Sequence, residues 1–381
     1  MLGTWSVGVH PIALPSNQPA DRFYLGGARI AAFRGTAAAG DHVPEDWIAS
    51  TTTVAGCDDL GLTLLDHGHS LRAAIATDPT AWLGSYHTAK YGADPALLVK
   101  LLDAGERLPV HVHPDDAFAR QHLSCRTGKT ESWIILEAEQ GALVHVGFRE
   151  DVEQGRLASW VAEQDRDAML SALHGVEVRA GDTVYVPAGL PHAIGAGIFL
   201  LELQQAADLS LLLEYARFAV DGPRDGHLGI GFDAALRCVQ HEAVSPAQLD
   251  QLRGRWDDDH IFPAAADEFF RAGRLAGDLD TMLAPGFAVL AVLAGSGRLT
   301  WGTIAMAAWT CEQGRRSLFR LAPGRCASVA HCKSYNVDHR YEPGGFAPGS
   351  SWSNSACCSV STAQTTSSAR PSPGCCGPIW W

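Results

Sequence analysis

From about residue 97 to 147 the apolar residues fall into short blocks, ALLVKLLDA, LPVHVHP, SWIILEA and GALVHVGF, separated by Gly, Asp or Pro. Such blocks predict short strands joined by turns. Between them DDAFARQH predicts a short helix, with Asp115 or Asp116 as its cap. The pattern changes to helical spacing in AEQDRDAMLSALHG, 162–175, which ends at a glycine and predicts a helix inserted between strands. Strand signals return in VEVRAGDTVYVPAG, HAIGAGIFLLELQQ and LSLLLEYARF. Many short strands with Gly/Pro turns predict a mainly β fold, an antiparallel barrel or jelly roll with helical insertions.

The remaining chain divides by pattern. Residues 1–222 hold the first β domain, and 223–262, with SPAQLDQLRGRWDDD, predict a helical connection. Over 263–310, EFFRAGRLAG and GFAVLAVLAGSGRLTWG open a second, incomplete barrel in which no His-x-His recurs. Alternation fades from about residue 303, and 311–381 become a Ser/Cys/Pro-rich tail expected to stay disordered. Seven of the ten cysteines lie from Cys311 onward, without the histidines or spacing of a zinc module. The abrupt change fits a shifted reading frame after about Gly302.

Composition narrows the function. A net charge of −13 with 46% hydrophobic residues describes a globular protein and argues against nucleic-acid or anionic-membrane partners. The first twenty residues lack a signal-peptide pattern, and no apolar run reaches membrane-spanning length. A cytoplasmic location is expected, and the three widely spaced early cysteines fit a reduced compartment.

Five features then converge on the first β domain. His111 and His113, one residue apart, project from one strand face. GKTESW carries Lys129 and Glu131 on a shared face, and GDTVYVPAGLPHAIG presents His192 at a turn. Glu202 interrupts the aliphatic LLELQQ, and Lys100 interrupts LLVKLLD. With sixteen histidines in the chain, a His-x-His pair alone is more often incidental. Jointly, several imidazoles and a carboxylate on inward strand faces suit a divalent metal such as Zn²⁺.

The spacing Gly181…Pro187-Ala188-Gly189…His192 resembles the second motif of cupin barrels. LLVKLLDA, HVHPDD and GKTESW in order resemble the zinc-dependent, cupin-type mannose-6-phosphate isomerases in their shorter bacterial form. The resemblance runs from GGARI and PEDWIAS to Asp208, about half the chain. It implies one Zn²⁺ per chain bound by His111, His113, Glu131 and His192, with Lys129, Glu202 and Lys100 as the catalytic set. The implied substrate is a small sugar phosphate, mannose 6-phosphate or fructose 6-phosphate, interconverted through an enediol. Two positions depart from the family: His111 stands where Gln is usual, and Leu212 where a substrate-facing arginine is expected. Arg217, five residues on, falls on the opposite face of an extended strand. The alternatives are a cupin isomerase for a different sugar and a non-enzymatic, metal-containing sugar-binding cupin.

Overall fold

A computed structural model describes residues 11–65, 68–275, 281–283, 286–294, 296–301, 307–312, 316–320 and 327–330. They fall into two compact units: Leu14–Arg271, and the described residues within Met1–Ala13 and Ala272–Trp380. Strand β1 is Ile12–Leu14; the strands that build the first unit are β2 (Glu45–Ile48), β3 (Leu98–Ala104), β4 (His111–Val112), β5 (Glu131–Ala138), β6 (Leu143–Phe148) and β7 (Leu173–Glu177). Its remaining strands are β8 (Asp182–Val186), β9 (His192–Ile194), β10 (Ile198–Gln204), β11 (Leu211–Leu212) and β12 (Arg253–Arg255).

They form two antiparallel sheets, one of six strands in the order β12-β8-β5-β10-β3-β2 and one of five in the order β11-β4-β9-β6-β7. Inner-face residues of both sheets, among them Leu102, Trp133, Ile135, Val184, Val144, Val146 and Ile194, pack into one core cluster. The opposite face of the five-stranded sheet, with Val112, Ala193 and Leu211, packs under the helices Gln154–Glu163 and Arg166–Ala172. The unit is therefore mixed sheet and helix. Sequence spacing suggested one helix over 162–175; instead Gln164 takes a left-handed conformation (φ 53°) and Asp165 caps a new helix through Ala168 N–H. Residues 223–262, expected as a connection, lie in this same unit. Arg253–Arg255 adds an edge strand to β8, and Ala235, Leu236 and Val239 join the core beneath the helices.

The second unit contains strands at Thr281–Leu283, Phe287–Ala291, Ser296–Trp301, Ala307–Glu312, Arg316–Arg320 and Ala327–Ala330. Strands thus continue to Ala330, past residue 303 where the sequence pattern was expected to lose them. Backbone pairing tolerates weak alternation, as between Ser296–Trp301 and Ala307–Glu312. Of the tail 311–381 that was expected to stay disordered, residues 311–312, 316–320 and 327–330 are strand, and the part from residue 331 onward lies outside the described residues. Among the described residues no helix is long and apolar enough to cross a membrane. Cys57, Cys125 and Cys238 are free thiols.

Candidate metal centre

Register places the chemistry. Directly opposed residues on antiparallel strands share a face, and His111 on β4 opposes His192 on β9, which opposes Val146 of the core. On the facing sheet Trp47, Lys100, Glu202 and Trp133 form one cross-strand row, with Gln204 opposite Glu131 in a parallel row. Both rows look into the space between the sheets, which is why an otherwise aliphatic strand carries Lys100 or Glu202 buried at 2% exposure.

The loop carrying His113 is fixed by the two aspartates that follow it. Asp115 caps the helix Asp116–His122 through Phe118 N–H at 2.7 Å. Asp116 accepts from Gly128 N–H (2.8 Å) and from Gln205 Nε2 (2.9 Å), and Gln205 in turn accepts from Thr130 N–H. Lys129 N–H donates to Pro114 O at 2.9 Å, so HPDD and GKTE lie backbone to backbone. Only glycine fits at 128, since a Cβ there would stand 2.2 Å from Pro114 O.

His111, His113 and His192 each offer a ring nitrogen within 4.8 Å of the others, and all three are buried. Each directs Nδ1 at a backbone carbonyl: His111 at Pro109 O (2.8 Å), His113 at Leu209 O (2.7 Å) and His192 at Leu190 O (2.7 Å). A carbonyl can only accept, so each Nδ1 carries a proton, which leaves Nε2 as the ring nitrogen available to a metal. His192 Nε2 is buried without a hydrogen-bond partner. Glu131 joins the group, with Oε2 3.1 Å from His113 Nε2 and Oε1 3.3 Å from His192 Nε2. Trp133 Nε1–H donates to Glu131 Oε1 at 2.9 Å and Lys129 Nζ to Oε2 at 2.6 Å. Lys129 Nζ also lies 2.9 Å from His113 Nε2.

Electrostatics agrees with the geometry. Burial, reinforced by the neighbouring imidazoles, lowers His111 well below the ordinary imidazole range, and burial with the Lys129 charge brings His113 to about 3. Burial would raise Glu131, but Lys129 and His113 together hold it well below the usual carboxylate range. His111 and His113 are therefore neutral imidazoles beside one carboxylate, and with His192 they make the nitrogen-rich donor set that suits Zn²⁺ and similar divalent ions. The residues present fit a metal.

Lys129, Glu202 and Lys100 stand beside it. Lys129 Nζ is 3.4 Å from Glu202 Oε1, and Lys100 Nζ is 3.8 Å from the same oxygen, which has no hydrogen-bond partner. Burial, then the Glu131 charge, pushes Glu202 up to about 7 against the pull of Lys129 and Lys100. Lys129 moves the other way from a neutral amine: burial opposes its charge, yet Glu131 and Glu202 raise it above the ordinary lysine range.

The structure adds residues that sequence reasoning did not single out. Glu45 accepts from Tyr24 OH (2.5 Å) and Trp47 Nε1 (2.6 Å) and lies 3.7 Å from Lys100 Nζ, which rests 4.8 Å over the Trp47 ring. Arg22 clamps Asp208 with two nitrogens, at 3.1 and 3.2 Å, and stands 3.5 Å from Glu45. The only signal for Glu45 was its alternation with Trp47 in PEDWI. Leu212 opposes His111 and is buried on the histidine face, whereas Arg217 is exposed beyond the strand.

No family model matches the chain. Mannose-6-phosphate isomerase of Streptococcus mutans is 33% identical over 210 residues, 54% of this chain and 63% of that protein. Mannose-6-phosphate isomerase ManA of Bacillus subtilis is 30% identical over 211 residues, 54% of this chain and 64% of its own. The matched region thus spans just under two thirds of these relatives. In fold, the chain is similar to the crystal structure of mannose 6-phosphate isomerase from Bacillus subtilis (TM-score 0.62, 20% identity, covering 84% of this chain and 99% of that one). It is also similar to a point mutant of phosphomannose isomerase from Salmonella typhimurium (TM-score 0.61, 18% identity, 84% and 99%).

Proposed function

We propose that this chain is an aldose–ketose isomerase interconverting mannose 6-phosphate and fructose 6-phosphate through an enediol. In this reading the two sheets form a cupin-type barrel, and His111, His113, Glu131 and His192 hold one Zn²⁺ per chain. The observation that carries it is the convergence of the His111, His113 and His192 rings, two of them against Glu131, beside the buried trio Lys129, Glu202 and Lys100. Simple sugar binding has no use for a buried acid poised near neutrality, and the similar curated proteins bear the isomerase name.

The ion, when bound, would act as a Lewis acid that orients sugar oxygens and stabilises negative charge developing on them. Isomerisation requires a proton to leave C2 (or C1) and be delivered to its neighbour. Glu202 is the group for that transfer, because a carboxyl near 7 can both take and return a proton at neutral pH. Lys129 is not the base: held charged between Glu131 and Glu202, it keeps a positive charge beside the reacting oxygens. Lys100, set by Glu45 and Trp47, supplies a second. The aliphatic walls and low exposure exclude water from the exchange, favouring return of the same proton.

Metal analysis of the purified protein, joined to an assay of fructose 6-phosphate and mannose 6-phosphate interconversion, tests this. About one equivalent of metal, activity lost to a chelator and regained with Zn²⁺, and loss of both metal and activity in His113→Ala are expected. A metal-replete protein that interconverts neither ester would sink the reading.

A further inference from the structure

The inner cations of the site are already spent on carboxylates. Arg22 pairs with Asp208 and Glu45, Lys100 with Glu45 and Glu202, and Lys129 with Glu131 and Glu202. Leu212 makes the wall beside His111 apolar. A phosphate dianion entering this region therefore needs cations from elsewhere.

A cleft of about 660 Å³ supplies them. Its floor includes Asp208 and Leu209, and the Leu209 carbonyl is the acceptor for His113 Nδ1–H, so the cleft begins one hydrogen bond from the candidate metal centre. Two arginines stand in its walls. Arg72 Nε donates to Thr51 O at 2.8 Å, and Arg126 Nη2 donates to Tyr91 O at 3.1 Å. Each stem is thus anchored to backbone through a single nitrogen, and among the described residues neither guanidinium pairs with a carboxylate. The wall's two acidic side chains do not compete: Asp208 is clamped by Arg22, and Asp94 turns Oδ1 to Ala96 N–H at 2.8 Å. Thr53 and Thr127 add hydroxyls to the same wall.

We propose that Arg72 and Arg126 form a phosphate-monoester subsite at the mouth of this cleft. The planar guanidinium fork matches phosphate oxygens in pairs, and backbone anchoring reduces the freedom lost on binding. The sugar then lies between the subsite and the histidine cluster, phosphate outward and C1–C2 inward. This deepens the sugar-phosphate reading and rests on it for the identity of the ester.

The test uses the full-length, metal-replete protein, with Arg72→Ala, Arg126→Ala and the double variant. Both side chains are exposed, so the variants should keep the wild-type melting temperature. KM for fructose 6-phosphate should rise about tenfold per arginine, with a much smaller effect on kcat, as expected for loss of a charge-assisted contact remote from the reacting atoms. The penalty should vanish with unphosphorylated mannose as substrate. Saturable binding of inorganic phosphate, followed by ³¹P NMR, should be lost in the double variant. Unchanged KM together with unchanged phosphate binding overturns the subsite. If the wild type turns over neither sugar, the isomerase reading fails, and the phosphate titration decides alone. Saturable binding that the double variant loses sustains the subsite, and no saturable binding in the wild type overturns it.

Discussion

Glu131 shows how much one residue can be asked to do. Its two oxygens face His113 and His192, while Trp133 and Lys129 each donate to one of them. The indole N–H fixes the rotation of the carboxylate without itself being a candidate ligand. Trp133→Phe keeps most of the buried volume and removes only that donor, so metal affinity should fall about 10–100-fold, the usual cost of losing an outer-shell partner. Competition against a chromophoric chelator measures it, and unchanged affinity would mean that Lys129 orients Glu131 alone. Glu202 carries a different expectation. Glu202→Gln preserves shape and abolishes proton transfer, so kcat should drop about 10²–10⁴-fold with KM little altered. Near-normal turnover in that variant would remove Glu202 from the mechanism.

At the scale of elements, the site is a consequence of register and of one close backbone approach. The strands bring His111 opposite His192 and Glu202 opposite Lys100, but His113 and Lys129 sit in loops that must be held together. Gly128 permits that approach. Gly128→Ala forces HPDD and GKTE apart, because the clash is with a backbone oxygen that no rotamer change can move. Asp115→Ala removes only a helix cap, a loss of about 1 kcal/mol. Metal occupancy and activity should therefore fall far more in Gly128→Ala than in Asp115→Ala, and equal effects would contradict the tight-loop account. The same comparison explains what was legible in the sequence. Strand alternation and the charges interrupting it exposed His111, Glu131, Lys100 and Glu202, since inward positions follow from a period of two; His113, read on the same strand face as His111, lies instead in the loop just past Val112. Gly128 reads only as a turn residue. Arg22, Glu45 and Asp208 were not legible, because their pairing joins positions up to 186 residues apart and depends on how the sheets close. The two helices of the insertion were merged in the sequence because Gln164 gives no sign that it will turn left-handed.

For the molecule as a whole, the buried titratable groups oppose one another in a way that pH can separate. In the metal-free protein His87, His111, His113 and His145 have lowered pKa values, each chiefly from burial. A lowered group contributes stability that is present above its unfolded value, about 6.5 for histidine, and lost as pH falls toward its folded value. Glu202 has the opposite sign. Its carboxyl is raised to about 7, so its contribution is complete below its unfolded value of about 4.3 and lost as pH rises through the folded one. Between about pH 4.5 and 6.5 the unfolded chain binds extra protons on the histidines while the fold holds one extra on Glu202, so stability should rise with pH. Each net proton contributes a slope of about 1.4 kcal/mol per pH unit. His111→Gln removes one histidine proton and should make the slope shallower. Glu202→Gln removes the opposing proton and should make it steeper, by about the same amount. Below about pH 4, Asp208, Glu45 and Glu131 add acid sensitivity: burial raises each, but Arg22 for the first two and Lys129 for the third bring them below the ordinary carboxylate range. Urea midpoints of chelator-treated protein across this range give the slopes directly. If the two variants change the slope in the same direction, the buried cluster is not balanced as its geometry implies.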